Sequence, residues 1–141
     1  MCWKCILTMV LVSMSAVLTS AAVVQETEDK TTPQQSLNAA IQEGIKLLEA
    51  KDYEKFLKRL VKPDDLEKIV KNAGSLDKFV ASFGQEKAAD VLAALKQIKD
   101  TTPTFDTAGK QAKFSLKNPP QLHMKTMTFT RVKNRWCIEN H

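Results

Sequence analysis

The spacing of apolar side chains changes at Pro103, and that change limits what the chain can fold into. From Gln34 to Ile98 apolar residues recur every three or four positions, which is the spacing of one face of a helix. Beyond Pro103, in "TFDTAGKQAKFSLK", they alternate with polar residues, which is the spacing of one face of a strand. Helices gathered in the first half and strands in the second make an α+β domain. Its N-terminal helices pack on a curved antiparallel sheet of three or four strands.

The helical half divides at its breakers. Leu37, Ile41, Ile45 and Leu48 form a first stripe, with Ser36 as its starting cap. Tyr53, Phe56, Leu57, Leu60 and Val61 form a second, which Pro63 stops. In "KPDDLEKIVKNAG" Pro63 suits a first turn, Asp64 and Asp65 suit the positive helix end, and Gly74 suits a C-terminal cap. "SLDKFVASFG" repeats the pattern, with Ser75 as cap, Leu76, Phe79, Val80 and Phe83 inward, and Gly84 as the stop. Ala88, Val91, Leu92, Leu95 and Ile98 line a last helix that ends near "KDTTP".

In the strand half, Ala112, Phe114 and Leu116 share one face while Lys113, Ser115 and Lys117 share the other. "AG" turns the chain before them, "NPP" breaks it after, and "KN" is a tight turn between "QLHMKTMTFTRV" and "RWCIE". Leu122 and Met124 have the opposite parity to Met127 and Phe129, and a one-residue offset exchanges the faces of a strand. That implies a bulge near Lys125–Thr126, bending the sheet around an apolar hollow, or cover on both faces. Trp136 and Ile138 are expected to pack inward, with Arg131, Lys133 and Arg135 facing water.

The first residues carry an address. "MCWKC" bears one charge, Lys4; "ILTMVLVSMSAVL" is apolar to small; "TSAA" offers the small residues a signal peptidase accepts. The expected organisation is a signal peptide over 1–22, a flexible lead-in over 23–35, and one domain over 36–141, with helices over 36–100 and strands over 104–140. The product is exported, periplasmic or secreted. An uncleaved membrane anchor is the alternative, although Ile6 to Ala22 is only 17 residues, at the short limit for a bilayer. Cys2 and Cys5 leave with such a signal, so Cys137 remains alone and the domain holds together by packing, without an internal disulfide.

Charge is unevenly divided. Residues 23–106 hold 13 basic and 15 acidic side chains, a net of −2. Residues 107–141 hold seven basic residues and the single acid Glu139, a net of +6. Lys113, Lys117, Lys125, Arg131, Lys133 and Arg135 are therefore the candidate ligand-binding residues, suited to anionic surfaces or glycans. The competing reading gives them to solvation and to blunting sheet edges. Exposed aromatics are too few for a base-stacking platform, which argues with the export signal against nucleic acid. A homodimer formed sheet to sheet would bury the outer strand face, and Lys113 and Lys117 there argue mildly against it.

The opening amphipathic helix, "AKDYEKFLKRLV", and the closing "MTFTRVKNRWCIEN" with Trp136 after a short turn together resemble small exported members of the nuclear transport factor 2-like superfamily. The resemblance spans residues 34–140 in element order and is specific at the two ends. It implies a cone-shaped α+β fold. The superfamily contains isomerases, dehydratases and cyclases beside modules that bind without chemistry, so fold analogy alone does not choose among them. On the enzyme reading Tyr53, Asp106 and His123 would line the cone. Each has an ordinary explanation: a core tyrosine, a turn former and a surface strand residue. No glycine-rich phosphate loop, nucleophile elbow or metal-ligand spacing occurs, so no cofactor or metal is expected. The reading that follows is a non-catalytic binding module for an anionic surface or a small apolar ligand. A small-molecule enzyme with a concave sheet pocket is its rival.

Overall fold

A computed structural model describes residues 32–117 and 125–139. Five helices run first: α1 (Pro33–Glu49), α2 (Tyr53–Leu60), α3 (Pro63–Ala73), α4 (Leu76–Glu86) and α5 (Ala88–Ile98). Four strands follow: β1 (Thr104–Phe105), β2 (Gln111–Ser115), β3 (Thr126–Val132) and β4 (Arg135–Ile138). The strands form one antiparallel sheet in the order β1-β2-β3-β4, so each pairs with its neighbour in sequence. The expected α+β arrangement, helices first and an antiparallel sheet last, is the one observed. Among the described residues no helix is long and apolar enough to cross a membrane.

Two helix boundaries differ from expectation, each for a local reason. α1 begins at Pro33, inside the stretch read as lead-in, because Thr32 rather than Ser36 is its cap. The Thr32 hydroxyl accepts from the Gln35 N–H and the Gln35 side chain accepts from the Thr32 N–H, a reciprocal capping box. Ser36 is inside the helix, its hydroxyl donating to the Pro33 carbonyl at 3.0 Å. Gly84 does not stop α4, which continues to Glu86. It is there for closeness: a Cβ at this position would lie 2.5 Å from Cε2 of Tyr53, so only glycine lets that ring lie on the helix.

The strands meet the helices on one face. Cross-strand partners share a face, and the register pairs Phe105 with Ala112, Ala112 with Phe129, Phe114 with Met127, and Phe129 with Ile138. Ala112, Phe114, Met127, Phe129 and Trp136 are buried with Leu37, Ile41, Phe56, Leu57, Leu60, Leu95 and Ile98 in one core. The β2–β3 ladder is unbroken from Ser115↔Thr126 to Gln111↔Thr130 and continues to a bond from the Leu116 N–H to the Lys125 carbonyl. Thr126 therefore sits in regular register, and Leu122 and Met124, which carried the bulge expectation, lie outside the described residues.

Among the described residues, two connections of the sheet are set by backbone chemistry. Lys133 and Asn134 both take positive φ, 46° and 61°, the two-residue turn whose twist matches the flanking strands. Gly109, at φ 64°, closes the β1–β2 connection. Beyond β4, Val61 at the end of α2 pairs in parallel with Ile138 and covers part of that edge.

Candidate functional site

Of the three groups weighed for acid–base work, two have structural tasks. Tyr53 opens α2 half-buried, its ring edge-on to Phe83 with centroids 6.0 Å apart. Asp106 follows β1, and one carboxylate oxygen accepts from the N–H groups of Lys110 at 2.7 Å and Gln111 at 2.8 Å. Its carbonyl accepts from the Gly109 N–H at 3.0 Å, so both its side chain and its backbone hold the β1–β2 loop. Tyr53 belongs to the contact between α2 and α4, and Asp106 to a loop at the other side of the core, where Gly109 approaches Pro33. His123 lies outside the described residues.

The helix-side face of the sheet, where a bulged and bent sheet would leave an apolar hollow, is filled. Phe114 and Phe129 meet edge to face at 5.8 Å, and Phe105 lies 6.2 Å from Trp136. The Trp136 indole N–H donates to the Ser36 hydroxyl at 2.9 Å, which satisfies the one polar atom of a side chain only 2% exposed.

The six candidate cations are dispersed. Lys113 points to the face away from the helices, and Lys117 follows four residues on, about 13 Å along an extended chain. Lys125 stands opposite Leu116 at the far end of the sheet. Lys133 is exposed in the β3–β4 turn. Arg135 pairs with Val132, on the face opposite Trp136, and Arg131 does not join it. Arg131 pairs with Trp136 and shares its face, and its Nε is buried without a partner. The expectation that Arg131, Lys133 and Arg135 look out together is corrected by the turn: across a two-residue loop, odd positions on one strand face even positions on the other.

Electrostatics separates the halves. In the helical half Lys55 pairs with Asp52, Lys58 with Glu54, Arg59 with Glu43 and Lys96 with Glu49. The hydrogen bond from Lys55 holds the Asp52 carboxyl below its ordinary value, and the same contact raises Lys55. In the sheet half Glu139 is taken by Lys62 at 2.9 Å and by the Gln111 amide at 2.9 Å. Lys113, Lys117, Lys125, Lys133 and Arg135 enter no ion pair with a described residue.

Cys137 is fully buried and opposite Thr130, on the face crossed by the Gln111–Glu139 bond. Among the described residues no group of histidine, cysteine and carboxylate side chains could hold a metal ion.

Sequence reasoning missed a groove beside the hairpin. Pro63, Leu66 and Val70 of α3 and Leu76 of α4 give it an apolar floor; Lys58 and Arg135 border it, with Glu67 at its rim. Its signal in the sequence is the apolar spacing of Pro63, Leu66 and Val70 along α3. Comparison with family models, curated proteins and solved structures finds no match to this chain.

Proposed function

We propose that the chain is an exported, non-catalytic binding module that engages an anionic partner through the cations of its sheet half. One observation carries this reading. The sheet half, residues 107–141, holds seven cations against one acid, whereas residues 23–106 hold slightly more acids than bases and pair Lys55, Lys58, Arg59 and Lys96 with carboxylates of the same half. A field of one sign over a surface attracts partners of the other sign and raises their encounter rate. The resemblance to the nuclear transport factor 2-like superfamily supports it at the level of fold, since that group includes modules that bind without chemistry. Export rests on the signal pattern at the N-terminus.

The full chain, titrated with dextran sulfate, is expected to bind at low salt and to lose that binding steeply as salt is raised, because screening shortens the reach of exposed charges. Neutral dextran is expected not to bind. Absence of binding at low salt, or binding indifferent to salt, removes the proposal. So does turnover in a metabolite screen that disappears in Asp106→Asn or Tyr53→Phe.

A further inference from the structure

We infer that the groove between α2, α3 and β4 binds a single-chain amphiphilic carboxylate, its hydrocarbon on α3 and its headgroup on Arg135. The inference rests on the anionic-partner reading above and names the ligand class for one of its cations.

The floor is the first observation. α3 buries none of its residues, although its apolar positions keep helical spacing. Val70 and Leu76 are half-buried without joining the core that Leu66 touches. Pro63, Leu66 and Val70 fall at i, i+3 and i+7, one stripe running about 10 Å along the helix. The groove above it measures about 390 Å³, within the range of small-molecule sites.

Arg135 is the second. The residue is half-buried, and its guanidinium places one N–H on the Lys58 carbonyl at 3.3 Å, an exposed contact that orients it. No carboxylate among the described residues pairs with it. A guanidinium presents a planar fork of donors matched to the two oxygens of a carboxylate. Lys58, beside it, already pairs with Glu54 and adds only a general positive field.

The surroundings choose between occupants. Glu67 of α3 stands among the residues that line the groove, and Asp64 and Asp65 make the first turn of the same helix acidic. An anionic bilayer or an acidic protein, pressed on this side, would bring many charges against the Glu67 carboxylate. A single amphiphile brings one charge, and that charge meets Arg135.

Dodecanoate added to the full chain is the test, followed by methyl resonances of Leu66, Val70 and Leu76 and by calorimetry. Saturable binding that shifts those methyls supports the inference. Arg135→Gln is expected to weaken it by about tenfold or more, the loss of a charge-assisted contact. Val70→Gln, on the half-exposed floor, is expected to weaken it similarly. Lys87→Gln, an exposed cation between α4 and α5 that does not line the groove, is expected to leave it unchanged. Dodecylammonium binding as tightly as dodecanoate overturns the inference, as does wild-type affinity in either groove variant. Dextran sulfate separates the two levels: if it binds while dodecanoate does not, the groove inference alone falls; if neither binds, the proposed function falls with it.

Discussion

α1 and α3 start alike and end in different environments. Each begins with proline in its first turn and carries one apolar stripe. α1 buries Leu37, Ile41, Gly44 and Leu48 between α2, α5 and β4. α3 buries nothing, and its main contacts are with α2 and α4. Apolar spacing therefore says that a helix has a face to cover, and the topology decides whether anything covers it. The charges repeat the lesson: Lys55, Lys58, Arg59 and Lys96 find carboxylates a turn away or on a neighbouring helix, while cations on the strands have almost no acid within the sheet half to meet.

The difference can be broken at its strong end first. Trp136→Ala removes the largest side chain of the sealed region and leaves the Ser36 hydroxyl without its donor, so a loss of about 3–5 kcal/mol is expected by denaturant titration. A loss under about 1 kcal/mol would mean that this region is not packed as described. Gly84→Ala is next. The added methyl meets the Tyr53 ring at 2.5–2.8 Å, and overpacking of this kind costs about 1–3 kcal/mol. Tyr53→Ala should relieve most of that cost in a double-mutant cycle. At the weak end, Val70→Ser on α3 should cost no more than about 1 kcal/mol, since its side chain is already half in water. An effect as large as that of Trp136→Ala would erase the contrast between the two helices.

The smallest effect is electrostatic. Asp52 caps α2 and its carboxyl lies below the ordinary value, chiefly through the Lys55 hydrogen bond. A group lowered on folding stabilises the fold above its unfolded pKa, and that contribution fades as pH falls through the folded value. Asp52→Asn should therefore lower stability slightly at neutral pH and converge with the parent protein in acid. A difference that persists or grows in acid would assign the effect to something other than ionisation.

What could be read from residues was mostly local. The change of period at Pro103, the turn at Lys133–Asn134 and the stop at Gly74 each depend on a few adjacent side chains, and each appears where expected. Thr32 is equally local, a threonine three residues before a glutamine, but Ser36 immediately precedes the first apolar residue and offers the same hydroxyl. Gly84 was misread because a glycine can end a helix or admit a ring, and only the position of Tyr53 decides which. Arg131 was misassigned because face parity was carried unchanged through a turn that reverses it. The Lys62–Glu139 contact joins residues 77 apart and follows from topology, which no local pattern encodes. Arg135 at the groove depends on the same long-range placement, so the residue was legible and its neighbours were not.

Native-state hydrogen exchange tests the contrast between covered and half-covered helices most directly, since each amide reports the opening that frees it. The amides of α1, α5 and β3 are expected to exchange only through global unfolding, while those of α3 exchange through a separate opening at clearly lower free energy. Equal protection of α3 and α1, both following global stability, would contradict it.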